Sequence, residues 1–146
     1  PFIVNDRVDI AQLSGASGVH LGQDDLPVAE ARKILGPRKI VGKSCQNILH
    51  LRRAFAEGAD YVGFGSVFRT LTKPDRAPMD PGLLRRAADT ARRKDVPLFA
   101  IGGINRANWA QVKACGVGRV AVCRDILLDR DVQSSVGGLK RLIQEV

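Results

Sequence analysis

Short apolar runs recur along the chain, and each of them ends at a polar or glycine-rich cluster. The runs are continuous rather than alternating, which is typical of parallel strands that helices cover on their faces. The predicted strands are residues 2–4, 18–21, 40–42, 61–64, 97–101 and 119–122.

Helical segments with recognisable ends separate the strands. The capping side chains are Asp25, Asn47 and Asn105; Pro27 suits the first turn of its helix, and Pro81 opens another helix. The predicted helices are residues 8–13, the segment from the Asp25 cap to residue 35, residues 48–57, residues 81–94, the segment from the Asn105 cap to residue 115, and residues 139–146.

Strand and helix therefore alternate throughout residues 1–146, which predicts one α/β domain with a parallel sheet and right-handed crossovers. A closed (β/α)₈ barrel needs eight such units, and the pattern here contains six. Two folds fit this count: an open, wound six-stranded sheet, or a TIM-type barrel that lacks its first two βα units.

Groups that follow parallel strands meet at one edge of the sheet, where α/β proteins carry out their chemistry. Asp6 and Asp25 each follow a predicted strand, and Asn5 precedes Asp6. Two carboxylates suit Mg²⁺, which takes few protein oxygens and completes its shell with water and phosphates. The alternative is that both aspartates cap the helices that follow them.

Further clusters suggest that an anion binds at the same edge. Thr70, Thr72 and Lys73 place two hydroxyls and an ammonium on a long loop, which suits a phosphate or, alternatively, a polar loop tip without a ligand. Gly102-Gly103 and Cys123-Arg124 follow the last two strands, where barrels often hold phosphate on backbone N–H groups. Ser44 is a lone hydroxyl after its strand, and His20 is interpreted as a hydrogen-bonded structural histidine.

Composition excludes several classes of protein. The chain has 146 residues, 45% of them hydrophobic and 26% charged, and no apolar stretch approaches the roughly 20 residues that cross a bilayer. Three cysteines without CxxC spacing predict neither a disulfide scaffold nor a zinc site, and they favour a cytoplasmic location. The net charge of +8 is interpreted as solvated helix faces with some attraction for phosphorylated small molecules, because no nucleic-acid motif is present.

Several strings together resemble one enzyme family. They are "VNDRVDIA", "GVHLGQDDLP", "ADYVGFGSVFRTLTKP", "AIGGI" and "RVAVCRDIL", and the family that they resemble is thiamine-phosphate synthase (thiamine-phosphate pyrophosphorylase). The resemblance implies a (β/α)₈ barrel that couples hydroxymethylpyrimidine diphosphate to thiazole phosphate with the help of Mg²⁺ and releases diphosphate. It also implies a role for each matching residue: Asp6 and Asp25 hold Mg²⁺, Asn5 contacts diphosphate or the metal shell, Ser44 and Lys73 act near the leaving group, and Thr70, Thr72, Gly102 and Gly103 hold the thiazole phosphate. Cys123 and Arg124 complete the expected substrate-binding set.

The chain also departs from the family pattern. The family's Gln-x-Arg-x-Lys string is absent from these residues and would belong to the two missing units. We therefore expect little turnover from the 146 residues alone, and self-association through the sheet edge beside residues 2–4. Two alternatives are a thiazole tautomerase and a non-catalytic fragment that binds a phosphorylated ligand or a partner. Asp6 and Gln46 both favour the synthase over the tautomerase.

Overall fold

The sheet of this protein contains six parallel strands whose spatial order follows their order in the chain. The computed structural model describes residues 1–72, 74 and 76–144. The strands are β1 (Ile3–Asn5), β2 (Gly18–Leu21), β3 (Ile40–Cys45), β4 (Tyr61–Phe64), β5 (Leu98–Ile101) and β6 (Val120–Ala121). The six predicted strands and their parallel pairing are thus confirmed.

The strand order decides between the two folds that the sequence left open. A doubly wound sheet reverses its strand order at a switch point, whereas here each strand pairs with the next one along the chain from β1 to β6. This is the order of a TIM-type barrel, and the six strands form a curled part of one. β1 and β6 are the edge strands of the described sheet, and self-association through the β1 edge stays a prediction.

Seven helices are present among the described residues, and most of them alternate with the strands. They are α1 (Val8–Leu13), α2 (Val28–Leu35), α3 (Ile48–Ala56), α4 (Pro81–Arg93), α5 (Trp109–Lys113), α6 (Arg124–Leu127) and α7 (Val132–Gln144). None of the helices in the described part of the chain has the length and apolar character that spanning a membrane requires.

The last three helices differ from the prediction, and the first difference is that α5 begins at Trp109, directly after Asn108, rather than after an Asn105 cap. The short helix α6 was not predicted, and α7 begins at Val132 rather than at residue 139. Asp131 caps α7, because its carboxylate accepts from the Ser134 N–H at 2.9 Å. The adjacent Gly137 and Gly138 lower the helical propensity of this segment, and tertiary packing overrides that preference.

The two faces of the sheet have different roles. Val19, Leu21 and Val62 are fully buried beneath the helices, as the strand alternation requires. His20 and Tyr61 alternate with them and therefore lie on the opposite face, the concave side of the curled sheet. Polar side chains on this concave face contribute to the site.

Candidate functional site

A pocket of about 520 Å³ opens at the carboxyl ends of β3 to β6. Seven residues that the sequence predicted for the site line this pocket. They are Ser44, Thr70, Thr72, Gly102, Gly103, Cys123 and Arg124. The structure thus brings together groups that lie up to eighty residues apart, as expected for one edge of a parallel sheet. Lys73 lies outside the described residues.

The backbone of the half-buried Gly102-Gly103 turn forms one wall of the pocket. Both glycines have left-handed φ angles, +104° and +63°. A Cβ at Gly102 would lie 2.8 Å from the Ser66 Cα, and one at Gly103 would lie 2.9 Å from the Phe68 Cβ. Only glycine therefore allows the β4–α4 loop to approach the turn this closely.

Hydrogen bonds hold this turn in place from both sides. The Phe68 N–H donates to the Gly102 carbonyl at 3.0 Å. The Asn108 side chain donates to the Gly103 carbonyl at 2.9 Å and accepts from the Asn105 N–H at 2.8 Å. Asn108 is a supporting residue that the sequence analysis missed, because its partner atoms are backbone groups that carry no signature.

A hydrogen-bonded chain of side chains leads from the concave face into the pocket. His20 Nε2 lies 3.0 Å from Ser44 Oγ, and His20 Nδ1 lies 2.9 Å from the Tyr61 hydroxyl. The Tyr61 ring also meets Phe99 edge to face at 5.5 Å, and burial raises the pKa of the Tyr61 phenol. His20 is thus hydrogen-bonded as predicted, and it also orients Ser44, which the sequence did not reveal.

The two aspartates do not cap helices, so the capping interpretation is wrong. The residue before α1 is Arg7 and the residue before α2 is Pro27, and neither helix receives a side-chain cap there. Instead, the Val28 N–H of α2 donates to Glu57 at 3.2 Å. Asp25 turns back toward its own strand and accepts from the Gly22 N–H at 2.6 Å.

Asp6 and Asp25 lie after the neighbouring strands β1 and β2. Asp6 has a φ of +63°, and its N–H donates to the His20 carbonyl at 2.8 Å, which joins it to the end of β2. Among residues 1–72, 74 and 76–144, no group of three or more His, Cys, Asp or Glu side chains could enclose a metal ion. The two carboxylates fit Mg²⁺ as a partial shell, since that ion keeps water and phosphate ligands.

Arginines that the sequence analysis did not single out also line the pocket. Arg69 and Arg76 stand on the β4–α4 loop beside the predicted threonines. With its amide oxygen facing the guanidinium, Gln46 accepts from Arg76 Nη1 at 2.6 Å and from Nη2 at 3.0 Å. Together with Arg124 these side chains make the pocket cationic, which favours a phosphorylated ligand.

Comparison with known proteins identifies relatives of this arrangement. The family described as thiamine monophosphate synthase matches residues 1–126. Thiamine-phosphate synthase of Synechococcus sp. (strain WH7803) is 47% identical over 134 residues, which are 92% of this chain and 37% of that protein. Thiamine-phosphate synthase of Chlorobium phaeovibrioides (strain DSM 265 / 1930) is 45% identical over 144 residues, 99% of this chain and 68% of that protein.

A solved structure has the same architecture. Thiamine phosphate pyrophosphorylase from Pyrococcus furiosus superposes with a TM-score of 0.87 at 35% identity, and the match covers 98% of this chain and 67% of that one. The chain thus spans little more than a third of the length of the Synechococcus protein and about two thirds of the length of the Chlorobium and Pyrococcus proteins.

Proposed function

Because the chain belongs to the thiamine monophosphate synthase family, we propose that it carries the larger part of the active site of a Mg²⁺-dependent thiamine-phosphate synthase. The reaction couples hydroxymethylpyrimidine diphosphate with thiazole phosphate and yields thiamine phosphate and diphosphate. The observation that carries the proposal is the cationic pocket that joins Ser44 to the Gly102-Gly103 turn. A tautomerase is not favoured, because the curated relatives named above are synthases.

The thiazole phosphate binds, in this proposal, at the wall built from the glycine turn. Backbone N–H groups of Gly102 and Gly103 and the hydroxyls of Thr70 and Thr72 offer donors to its oxygens. Arg124 adds a planar guanidinium that can grip two phosphate oxygens. The hydrogen bonds that hold the turn keep these donors oriented before the ligand arrives, which limits the entropy lost on binding.

The diphosphate of the other substrate binds, in this proposal, at the aspartate side of the same edge. Asp6 and Asp25 would hold Mg²⁺ with Asn5 beside them, and the ion would supply neutralisation of the leaving diphosphate. Ser44 would donate its hydroxyl proton to the diphosphate near the reacting centre, while its oxygen accepts from His20 Nε2. Lys73 would add a further positive charge.

Substrate binding and turnover test the proposal separately. Titration calorimetry of the chain with thiazole phosphate should show binding that Thr72→Val weakens, because one hydroxyl donor is lost. Turnover is measured as thiamine phosphate formed, with Mg²⁺ or with EDTA. The chain is assayed alone and after addition of the first two βα units of the Chlorobium relative.

We expect Mg²⁺-dependent product only when those units are present, because these 146 residues contain no Gln-x-Arg-x-Lys string. No binding of thiazole phosphate, or product that persists in EDTA, would contradict the proposal. Robust turnover by the chain alone would contradict the expectation that product requires the first two βα units.

A further inference from the structure

Lys43 is a buried lysine next to the candidate metal site, and the proposed function gives it no role. The residue is only 7% exposed. Its neighbours in the strand register are Leu21 and Val62, which are both fully buried. The Lys43 ammonium reaches the carboxyl edge of the sheet, where it donates to the Gly22 carbonyl at 2.7 Å.

Gly22 begins the turn that carries Asp25. Its N–H donates to the Asp25 carboxylate at 2.6 Å, and its carbonyl accepts from Lys43. A second bond joins the same turn to β3, because the Gln23 side chain donates to the Ser44 carbonyl at 2.5 Å. The turn is therefore fastened to β3 at two successive residues.

The need for such a fastening follows from the residue at position 22. A Cβ there would lie 3.0 Å from Asp25 Oδ2, so a side chain would press on the carboxylate, and glycine relieves that contact. Glycine has the most freedom of backbone rotation. The Lys43 and Asp25 hydrogen bonds hold the two peptide groups on either side of the Gly22 Cα, and so they remove that freedom.

We propose that Lys43 is a positioning residue that holds the Gly22 peptide, and through it the Asp25 carboxylate, in the orientation that the metal site requires. The inference rests on the proposed function, since it assigns Asp25 to the metal. Burying a lysine has a large desolvation cost, and apolar replacement of buried charges is often neutral for stability. A lysine at this position is therefore better explained by positioning than by stability.

The charges around Lys43 are consistent with a fixed ammonium. The pKa of the Glu57 carboxyl is lowered, first by the hydrogen bond from Arg53, and also by the Val28 N–H and by the positive charge of Lys43. Glu57 thus partly balances the buried charge without replacing the bond to Gly22.

The same strand offers a matched control at the other end of the sheet. Lys39 precedes β3, and its ammonium donates to the carbonyls of Ala16 at 2.6 Å and of Gly15 at 3.2 Å. Both lysines therefore tie the β2 segment to β3 by a bond to backbone carbonyl. In barrels the catalytic groups lie at the carboxyl edge of the sheet, and residues at the amino edge contribute to stability. Loss of the Lys43 hydrogen bond would therefore displace the turn that carries Asp25, whereas loss of the Lys39 hydrogen bonds would not.

The experiment compares Lys43→Met with Lys39→Met. Amide hydrogen exchange at Gly22 reports the hydrogen bond to Asp25, and electron paramagnetic resonance of Mn²⁺ with inorganic diphosphate reports metal affinity. Loss of one hydrogen bond predicts Gly22 exchange roughly five- to tenfold faster in Lys43→Met, with Mn²⁺ binding weakened by a similar factor. Lys39→Met should leave both quantities unchanged.

Two outcomes would overturn the inference: wild-type Gly22 exchange in Lys43→Met, or equally accelerated Gly22 exchange in Lys39→Met. If methionine prevents folding, Lys43→Arg keeps the buried charge but moves the donor, and a smaller acceleration at Gly22 is then required. Asp25→Asn separates the two proposals. Unchanged Mn²⁺ affinity in that variant would refute the metal assignment, whereas Gly22 exchange would still decide the role of Lys43.

Discussion

The glycine turn at the pocket wall permits a quantitative test through three glycine-to-alanine variants. Gly118 has an ordinary backbone, and a Cβ there meets nothing within 4 Å. Gly15 has a left-handed φ of +68° but equally open surroundings, whereas Gly102 combines a φ of +104° with close approach to Ser66. The series therefore separates backbone strain from steric overlap.

The structure sets the expected size of each step. Gly118→Ala should change the free energy of unfolding by no more than about 0.5 kcal/mol, as for other surface substitutions. Gly15→Ala should cost about 1–2 kcal/mol for a left-handed L-residue. Gly102→Ala adds about 1–3 kcal/mol of overpacking against Ser66, for a total of about 2–5 kcal/mol. That is a large part of the roughly 5–15 kcal/mol that stabilises a domain.

Urea denaturation followed by circular dichroism measures the three free energies, and calorimetric titration with thiazole phosphate measures binding. Gly102→Ala should also weaken phosphate binding by at least about tenfold, because it displaces the N–H donors of the turn. Gly15→Ala should not change the affinity. A Gly102→Ala variant as stable as Gly118→Ala, or one with unchanged affinity, would refute the reasoning about this turn.

Three further predictions concern other parts of the molecule. In a protein with the first two βα units added, Asp25→Asn should lower Mg²⁺-dependent turnover at least about tenfold, because it removes an anionic ligand. The control Asp24→Asn, at an exposed neighbour, should not lower turnover. Unchanged metal dependence in Asp25→Asn would show that Asp25 is not a metal ligand. Trp109 is 4% exposed and donates to the Leu142 carbonyl at 3.1 Å, so Trp109→Ala should cost about 3–5 kcal/mol in urea denaturation, and a loss below about 1 kcal/mol would contradict its packing role. Burial raises the pKa of the Cys45 thiol from 9.0 to about 12. The buried thiol therefore contributes fully to stability below pH 9.0, and this contribution is lost as the pH rises toward 12. The difference in unfolding free energy between wild type and Cys45→Ala should shrink over that interval, and a difference independent of pH would contradict the burial of the thiol.

Much of the fold follows from local patterns in the sequence. Each apolar run corresponds to a strand in the structure. The features that select a strand, continuous hydrophobicity and flanking glycines, all lie within a few neighbouring residues. The capping role of Asn47 is likewise local, and its side chain accepts from the His50 N–H at 2.8 Å. The shared edge for Ser44, Gly102 and Arg124 could be predicted as well, since parallel strands leave no other place for the groups that follow them.

The detailed chemistry of the site depends on contacts between strands, which no local pattern encodes. Asp25 had the spacing of a helix cap, yet it turns to Gly22, because Pro27 is the residue that directly precedes α2 and Glu57 accepts from the Val28 N–H. Sequence spacing describes what a side chain can reach along its own backbone. It does not describe the competing partners that another element brings.

The sequence by itself therefore determined the six strands, most of the helices and which polar groups gather at the carboxyl edge, whereas the last helices were not fully predicted. Only the tertiary structure decided how those groups are oriented: His20 joins Ser44 to Tyr61 across three strands, and Lys43 holds the peptide of Gly22. The physical reason is that interactions between neighbouring residues select secondary structure. A hydrogen bond between residues far apart in the sequence forms only once packing has fixed the register of the strands that carry them.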